Sequence, residues 1–245
     1  FNPAADRLRV VGNDGQNLRI NVDTGATIVD GAINGATGAV ITAVAYTNSF
    51  AGAGSTRMID IDVGQDRVYL QDPPNNGALS STAFAQLGVD ATGSSGFDID
   101  GLNNMAYAAL KVGGTVQLYS INLAALGTNT AAATLPANVN TTLPTSLGDV
   151  RGIALKSATN PVASVQGLSA NNQLVSFNPT APSMTTTKAI TGLMAGETVV
   201  GIDARVNTII AGKSGLLYGL TNLGNLYTID TSTGAATGKL PLTAD

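Results

Sequence analysis

The sequence of 245 residues contains no cysteine, no histidine and no tryptophan. Without cysteine, the chain has no disulfide, no thiol nucleophile and no zinc–thiolate site. Without histidine, it lacks the commonest general base and the commonest ligand of transition metals. The sequence also lacks a nucleophile elbow, a phosphate-binding loop and a dinucleotide fingerprint. These absences predict a protein that is not an enzyme and that needs no cofactor, calcium excepted.

Charged residues are scarce as well, at 11% against about a quarter in a typical soluble protein. The net charge is −4, and lysine and arginine are scattered along the sequence. A nucleic-acid partner requires a basic patch that neutralises phosphates, so we predict no such partner. Apolar runs are short, and none reaches the roughly 18 residues of a membrane-spanning helix. We therefore also predict no membrane span.

The sequence contains a strand–turn–strand unit in five copies. Each copy is a short alternating strand that ends in a turn rich in Asp, Asn, Pro, Thr or Gly, and the copies start at positions 17, 66, 116, 173 and 225. Period-two alternation between such turns predicts an all-β chain. Repeats of roughly 40–55 residues with four strands each are typical of propeller blades. We predict a single five-bladed β-propeller domain of four-stranded antiparallel blades, at residues 1–39, 40–92, 93–148, 149–195 and 196–245.

The interval from the fifth unit around the chain ends to the first is shorter than the others. FNPAAD (1–6) therefore resembles the tail of an innermost strand whose first half is missing, which would expose an unpaired sheet edge. The missing half either lies outside this sequence or is supplied by another chain. Donation by a neighbour would place assembly contacts at the termini, and the residues predicted to make them are Phe1, Asn2, Pro3, Leu242 and Asp245.

Several segments resemble a bacterial family of secreted proteins that contain domain of unknown function 4394. The segments are RLRVVGNDGQNLRINVDTGATIVDGAI (7–33), AYTNSFAG (45–52), YLQDPPNNGAL (69–79), LGVDATGSSGFDI (87–99) and one that begins at LVSFNPTAP and ends at GIDAR (174–205). The resemblance implies a propeller-like fold and a location outside the cytoplasm. It implies no catalytic residues, because no activity is established for the family. The order of the segments is permuted relative to the order that the resemblance leads us to expect.

Two groups of aspartates are candidate cation sites. Asp60, Asp62 and Asp66 in DIDVGQD have the spacing of oxygen ligands in calcium loops, although the full loop pattern is absent. Strand alternation offers another explanation, in which Asp60 and Asp62 share a solvated strand face.

The second group lies on proposed innermost strands, which line the central channel of a propeller. Asp98, Asp100 and Asp203 there would hold a cation or ordered water. Alternatively, they pair with Arg151 and Arg205 or cap loops.

These observations support three hypotheses about function. The first is a non-enzymatic extracellular or cell-surface structural protein that assembles with copies of itself into a fibre or surface layer. The second is a secreted binding module that presents a propeller face to a glycan, a peptide or a calcium ion. The third is a glycoside hydrolase, which needs paired carboxylates beside aromatic platforms. With 4% aromatic residues and no tryptophan, the chain offers poor platforms for sugars.

Overall fold

The computed structural model describes residues 1–136, 140–155, 164–206 and 215–244. Its strands form five separate four-stranded sheets, arranged as the blades of a β-propeller. The all-β class and the five four-stranded blades predicted from the repeat are therefore confirmed.

The blades follow one another along the chain. Blade one contains β1 (Leu8–Val11), β2 (Asn17–Ile20), β3 (Ala26–Val29) and β20 (Thr243–Ala244). Blade two contains β4 (Ile41–Tyr46), β5 (Met58–Asp62), β6 (Arg67–Gln71) and β7 (Leu79–Gln86). Blade three contains β8 (Gly96–Ile99), β9 (Ala106–Val112), β10 (Thr115–Ile121) and β11 (Ala133–Thr134). Blade four contains β12 (Val150–Leu155), β13 (Val165–Ser169), β14 (Gln173–Asn178) and β15 (Ala181–Ala189). Blade five contains β16 (Val199–Ala204), β17 (Leu217–Thr221), β18 (Asn225–Ile229) and β19 (Ala236–Pro241). Single 3₁₀ turns lie at Pro74–Asn76, Leu123–Ala125 and Thr145–Leu147.

The turn residues of the repeat have a local structural role. The Asn21 side chain accepts a hydrogen bond from the Asp23 amide, and the Asp230 side chain accepts one from the Ser232 amide. Such Asx turns reverse the chain directly after a strand. Both turns then reach a glycine with positive φ, 76° at Gly25 and 81° at Gly234, a conformation that side chains with a Cβ disfavour.

Blades two to five share one arrangement. Each is an antiparallel meander whose first strand is innermost, and the inner strands β4, β8, β12 and β16 pack one on the next around the axis. The apolar core lies between the blades. Between blades two and three, for example, it contains Ile59, Ile61, Phe97 and Ile99. Among the described residues, no helix has the length and apolar character needed to span a membrane.

Blade one departs from this arrangement. Its first three strands correspond to the second to fourth strands of the other blades, because β2 carries the repeat unit that β6, β10, β14 and β18 carry. Residues 1–6 contribute only a bridge between Asn2 and Arg7, so the prediction that they form the inner strand is wrong. The fourth strand is β20, which pairs in parallel with β3 on the outer side of the sheet. The last described residues thus join blade five to blade one.

Candidate functional site

The inner edge of β1 is the most unusual feature of the ring. In the antiparallel ladder with β2, Leu8 pairs with Ile20 and Val10 with Leu18, and the Gly12 amide continues the ladder by donating to the Gln16 carbonyl. Because hydrogen bonding alternates along such a ladder, the N–H and C=O groups of the intervening Arg9 and Val11 point away from β2. Among the described residues, none hydrogen-bonds to these groups from the other side. The inner edge of β1 is therefore an unpaired strand edge.

This edge faces a cavity of about 680 Å³ on the propeller axis, which we call the axial cavity. All five blades contribute to its wall through β1, β4, β8, β12 and β16. The wall is mixed, with apolar residues such as Val44, Phe97 and Ile153 beside polar ones such as Arg151 and Asp203. The site therefore combines free backbone groups on one side with apolar and polar side chains on the others.

Three glycines at matching positions of the inner strands show where the ring is incomplete. A Cβ built on Gly96 would lie 2.8 Å from the carbonyl carbon of Gly152, and one built on Gly152 would lie 3.4 Å from Cγ1 of Ile202. Gly96 thus lets the next inner strand approach more closely than a Cβ would allow, whereas a Cβ on Gly152 would make an ordinary van der Waals contact with the next inner strand. A Cβ built on Gly201 has no atom within 4 Å. β12 lies beside Gly96, and β16 lies beside Gly152. In the described part of the chain, no inner strand takes the corresponding place beside Gly201.

Two of the predicted channel aspartates interact with each other. Asp98 accepts hydrogen bonds from the Ile99 and Leu155 amides. Burial and, second to it, the negative charge of Asp203 raise the pKa of Asp98 to about 7. Asp203 lines the axial cavity, accepts a hydrogen bond from the Ala204 amide and contacts the amino group of Phe1. The predicted pairing of these aspartates with arginine is wrong.

The third predicted channel aspartate and the two arginines serve other contacts. Asp100 lies in the turn after β8, where its carboxylate accepts a hydrogen bond from the Leu102 amide. The guanidinium of Arg205, which is 1% exposed, binds Asp6 and Asp23. Arg151 lines the axial cavity and forms no ion pair with the described residues.

The aspartates of DIDVGQD separate into different environments. Asp60 and Asp62 are both 0% exposed, so the predicted solvated strand face is wrong. The reason is that β5 is packed on both faces, by blade one and by blade three. Asp62 accepts hydrogen bonds from the Val40 and Gly64 amides, and Asp66 accepts one from the Ala91 amide.

Asp60 differs from its neighbours, because neither of its carboxylate oxygens has a hydrogen-bond partner among the described residues. Burial raises the pKa of Asp60 well above its ordinary value, and the nearby Arg9 charge only partly opposes this. Within residues 1–136, 140–155, 164–206 and 215–244, no group of three or more acidic side chains is placed to hold a metal ion.

The residues predicted to make assembly contacts are mostly packed inside the protein. Phe1 and Pro3 are buried, and Asn2 is half-buried, with its side chain accepting a hydrogen bond from the Thr56 hydroxyl. Leu242 packs against the apolar cluster between blades five and one. Asp245 lies outside the described residues. The free edge is instead on β1; the short interval between repeat units indicated an unpaired edge near the chain ends, but at residues 1–6.

Comparison with known proteins places this architecture in a family. The model of a family described as Domain of unknown function (DUF4394) matches residues 1–144 and 173–244. The chain belongs to this family. Comparison with curated protein sequences gives no match.

Solved structures of other proteins share the propeller fold. A chain in the crystal structure of a nidogen/laminin complex is 11% identical, with a TM-score of 0.53 over 96% of this chain and 93% of that chain. The glutaminyl cyclase of Myxococcus xanthus is 13% identical, with a TM-score of 0.54 over 85% of this chain and 73% of that chain. At these identities the likeness extends to the fold alone.

Proposed function

We propose that this family member is a non-enzymatic extracellular structural module that assembles with copies of itself by accepting a β-strand at the inner edge of β1. The observation that carries the proposal is the unpaired edge beside the axial cavity. An exposed strand edge is a template for strand addition, in which backbone hydrogen bonds supply affinity and side-chain pockets supply specificity. The extracellular location rests on the family resemblance, and the absence of catalysis rests on the lack of histidine and cysteine.

The glycines of the inner strands favour a copy of this chain as the donor. A strand that enters beside Gly201 occupies the position that β12 has beside Gly96 and β16 has beside Gly152. Two inner strands of this chain already occupy such a position, namely GIAL (152–155) beside Gly96 and GIDA (201–204) beside Gly152. The chain therefore carries strands whose size and pattern match its own free edge.

A synthetic peptide of residues 197–203, ETVVGID, tests the acceptor directly. We expect saturable binding to the protein, measured by fluorescence anisotropy, together with a rise in the melting temperature, because the peptide would bind only the folded state. A scrambled peptide of the same composition is the control. A peptide with Gly201→Leu is expected to bind more weakly, since the entering strand must pass close to its neighbour.

Two proline variants of the acceptor distinguish edge pairing from general damage. Val11→Pro removes an N–H that points to the cavity, whereas Val10→Pro removes an N–H that bonds to β2. We expect Val11→Pro to keep the fold and lose both peptide binding and self-association, as followed by sedimentation at increasing protein concentration. Val10→Pro should destabilise the fold itself.

Three outcomes of these measurements decide the proposal. A protein that stays monomeric at every concentration and binds no inner-strand peptide would overturn it. Binding of unrelated extended peptides without self-association would also overturn it, and would favour a peptide-binding module instead. Binding and self-association that survive Val11→Pro would place the contact elsewhere and reject the inner edge of β1 as the acceptor.

A further inference from the structure

A second cavity lies between blades one and two, and Arg9 lines both it and the axial cavity. It measures about 260 Å³, and Arg7, Arg9 and Arg19 all line it. The remaining lining side chains are neutral, and the polar ones among them belong to Asn2, Tyr46, Thr56 and Asn75. No acidic residue among those described lines this cavity, which we call the arginine pocket. The whole chain has only 12 lysine and arginine residues, so three in one small pocket are a marked concentration.

The hairpin of blade one brings these arginines together. Arg9 on β1 lies directly opposite Arg19 on β2, and Arg7 comes immediately before β1. Basic residues that are scattered along the sequence are therefore clustered in space at this hairpin. The pairing of like charges across a strand pair is unfavourable unless a carboxylate or another anion compensates it.

One carboxylate, that of Asp30, is shared by two of the three arginines and offsets one of their charges. Asp30 accepts hydrogen bonds from Arg9 Nη1 at 2.6 Å, from Arg19 Nε at 2.6 Å and from Arg19 Nη2 at 2.8 Å. Burial works against ionisation of Asp30, but the hydrogen bonds from Arg19 and Arg9 outweigh it, so the pKa of Asp30 is lowered. Asp30 is therefore a charged and fully used partner. The pocket keeps an excess of positive charge.

Neutral side chains hold the guanidinium of Arg9, the buried arginine of the pocket, in place by hydrogen bonds. Arg9 is 7% exposed, and it donates to the Tyr46 hydroxyl at 3.2 Å, to the Asn17 side chain at 2.8 Å and to the Asn75 side chain at 2.7 Å. Such contacts hold a guanidinium in one orientation, which is the preorganisation that recognition of a planar or tetrahedral anion requires. The other wall contributes Arg7, whose side chain donates, within the described part of the chain, only to the backbone carbonyls of Ala5 and Asp6.

From this arrangement we infer that the arginine pocket binds a small oxyanion, a carboxylate, sulfate or phosphate group, between Arg7 and Arg19. Arg7 has no acidic partner among the described residues, and Arg19 is partly exposed at the pocket. Arginine binds these groups with paired, charge-assisted hydrogen bonds. The pocket is too small for a strand and uses side chains rather than the edge of β1, so this inference is independent of strand acceptance.

The test measures binding of sulfate, inorganic phosphate and acetate by calorimetry, with sodium chloride at matched ionic strength as the reference. We expect saturable binding of at least one of these anions to the wild-type protein. Arg7→Gln removes one charge and breaks no ion pair, so the fold should persist while affinity falls on the order of tenfold or more. Arg57→Gln is the matched control, since Arg57 is exposed and does not line the pocket.

Crystals grown with selenate give a second readout, because anomalous scattering locates the anion. We expect a peak within hydrogen-bonding distance of Arg7 and Arg19. The inference would be overturned if sulfate, phosphate and acetate all gave heats of binding no larger than those of chloride. It would also be overturned if the Arg7→Gln and Arg57→Gln variants bound the anion with equal affinity. A selenate peak without saturable binding in solution would mean an adventitious ion only, and would also count against the site. None of these results bears on peptide binding at β1.

Discussion

The strand β5 is buried on both faces, and the two faces pack in contrasting ways. Toward blade three, Ile59 and Ile61 enter a continuous apolar cluster with Phe97 and Ile99. Toward blade one, Asp60 lies near Arg9, which is held by a set of hydrogen bonds. The first interface depends on apolar packing, which does not require particular orientations of the side chains. The second depends on hydrogen bonds, which hold the Arg9 side chain in one orientation. The two faces of β5 thus differ in kind: apolar packing joins blade two to blade three, whereas polar contacts around Arg9 add to the apolar packing between blade two and blade one.

The largest effect is expected from removing the centre of the polar interface. Arg9→Met keeps a long apolar stem but breaks the buried ion pair with Asp30 and the hydrogen bond to Asn17, so that Arg19 is the remaining basic partner of Asp30 among the described residues. Breaking a buried ion pair by removing one member costs about 3–5 kcal/mol. We expect a loss of this size in the free energy of unfolding, measured with urea. Arg57→Met, at an exposed position, should change stability little, and equal losses in the two variants would contradict the account.

A smaller loss is expected at the apolar interface on the other face of the same strand. Ile61 is 0% exposed, and Ile61→Ala removes buried methyl groups and leaves a cavity between blades two and three. Such substitutions cost about 2–5 kcal/mol, less where the surroundings relax. The measurement is again urea unfolding, with Val29→Ala at a position 74% exposed as the control. The comparison would fail if Ile61→Ala were more damaging than Arg9→Met.

The sequence predicted the fold well, because its signal is local. Strict alternation and Asx or glycine turns in five copies specify strands, hairpins and the number of blades. Pairing of β20 with β3 was not predictable, since a two-residue exposed strand has no hydrophobic pattern. The burial of Asp60 was missed for a related reason. Alternation assigns Asp60 to a face, but it does not tell whether that face meets water or a neighbouring blade.

The candidate sites show the same limit. The short interval between repeat units located the free edge near the chain ends, but its position on β1 depends on the ladder register. The arginine pocket depends on the pairing of Arg9 with Arg19. The register of the hairpin determines this pairing. A prediction of the turn at 12–16 would therefore also predict that Arg9 lies opposite Arg19.

Within the polar interface, Asp30 and Asp60 should respond to pH in opposite directions. The pKa of Asp30 is lowered below the ordinary value of 3.8, so its contribution to stability is present above that value and is lost as the pH falls further. Asp30→Asn should therefore destabilise the protein at neutral pH, and the difference from wild type should shrink in acid. Melting temperatures between about pH 2 and pH 7, a range that extends below the ordinary value of 3.8, check this. A constant difference across that range would refute it.

Asp60 gives the smallest and most distinctive effect. Its folded-state pKa is raised, because burial disfavours the charged carboxylate more than Arg9 favours it. The protonated form thus suits the fold, and the stability it provides is complete below the unfolded value of 3.8 and is lost as the pH rises. Asp60→Asn keeps the shape without the charge, so it should raise the melting temperature at neutral pH and leave it unchanged in acid. Asp62→Asn is the matched control, because the Asp62 carboxylate accepts two backbone hydrogen bonds and its replacement should bring no gain. A loss of stability in Asp60→Asn at neutral pH would contradict this prediction, because it would mean that the Asp60 charge stabilises the interface with blade one. The contrast between the two faces of β5 would then depend on ion pairing between Asp60 and Arg9 rather than on the hydrogen bonds that Arg9 donates.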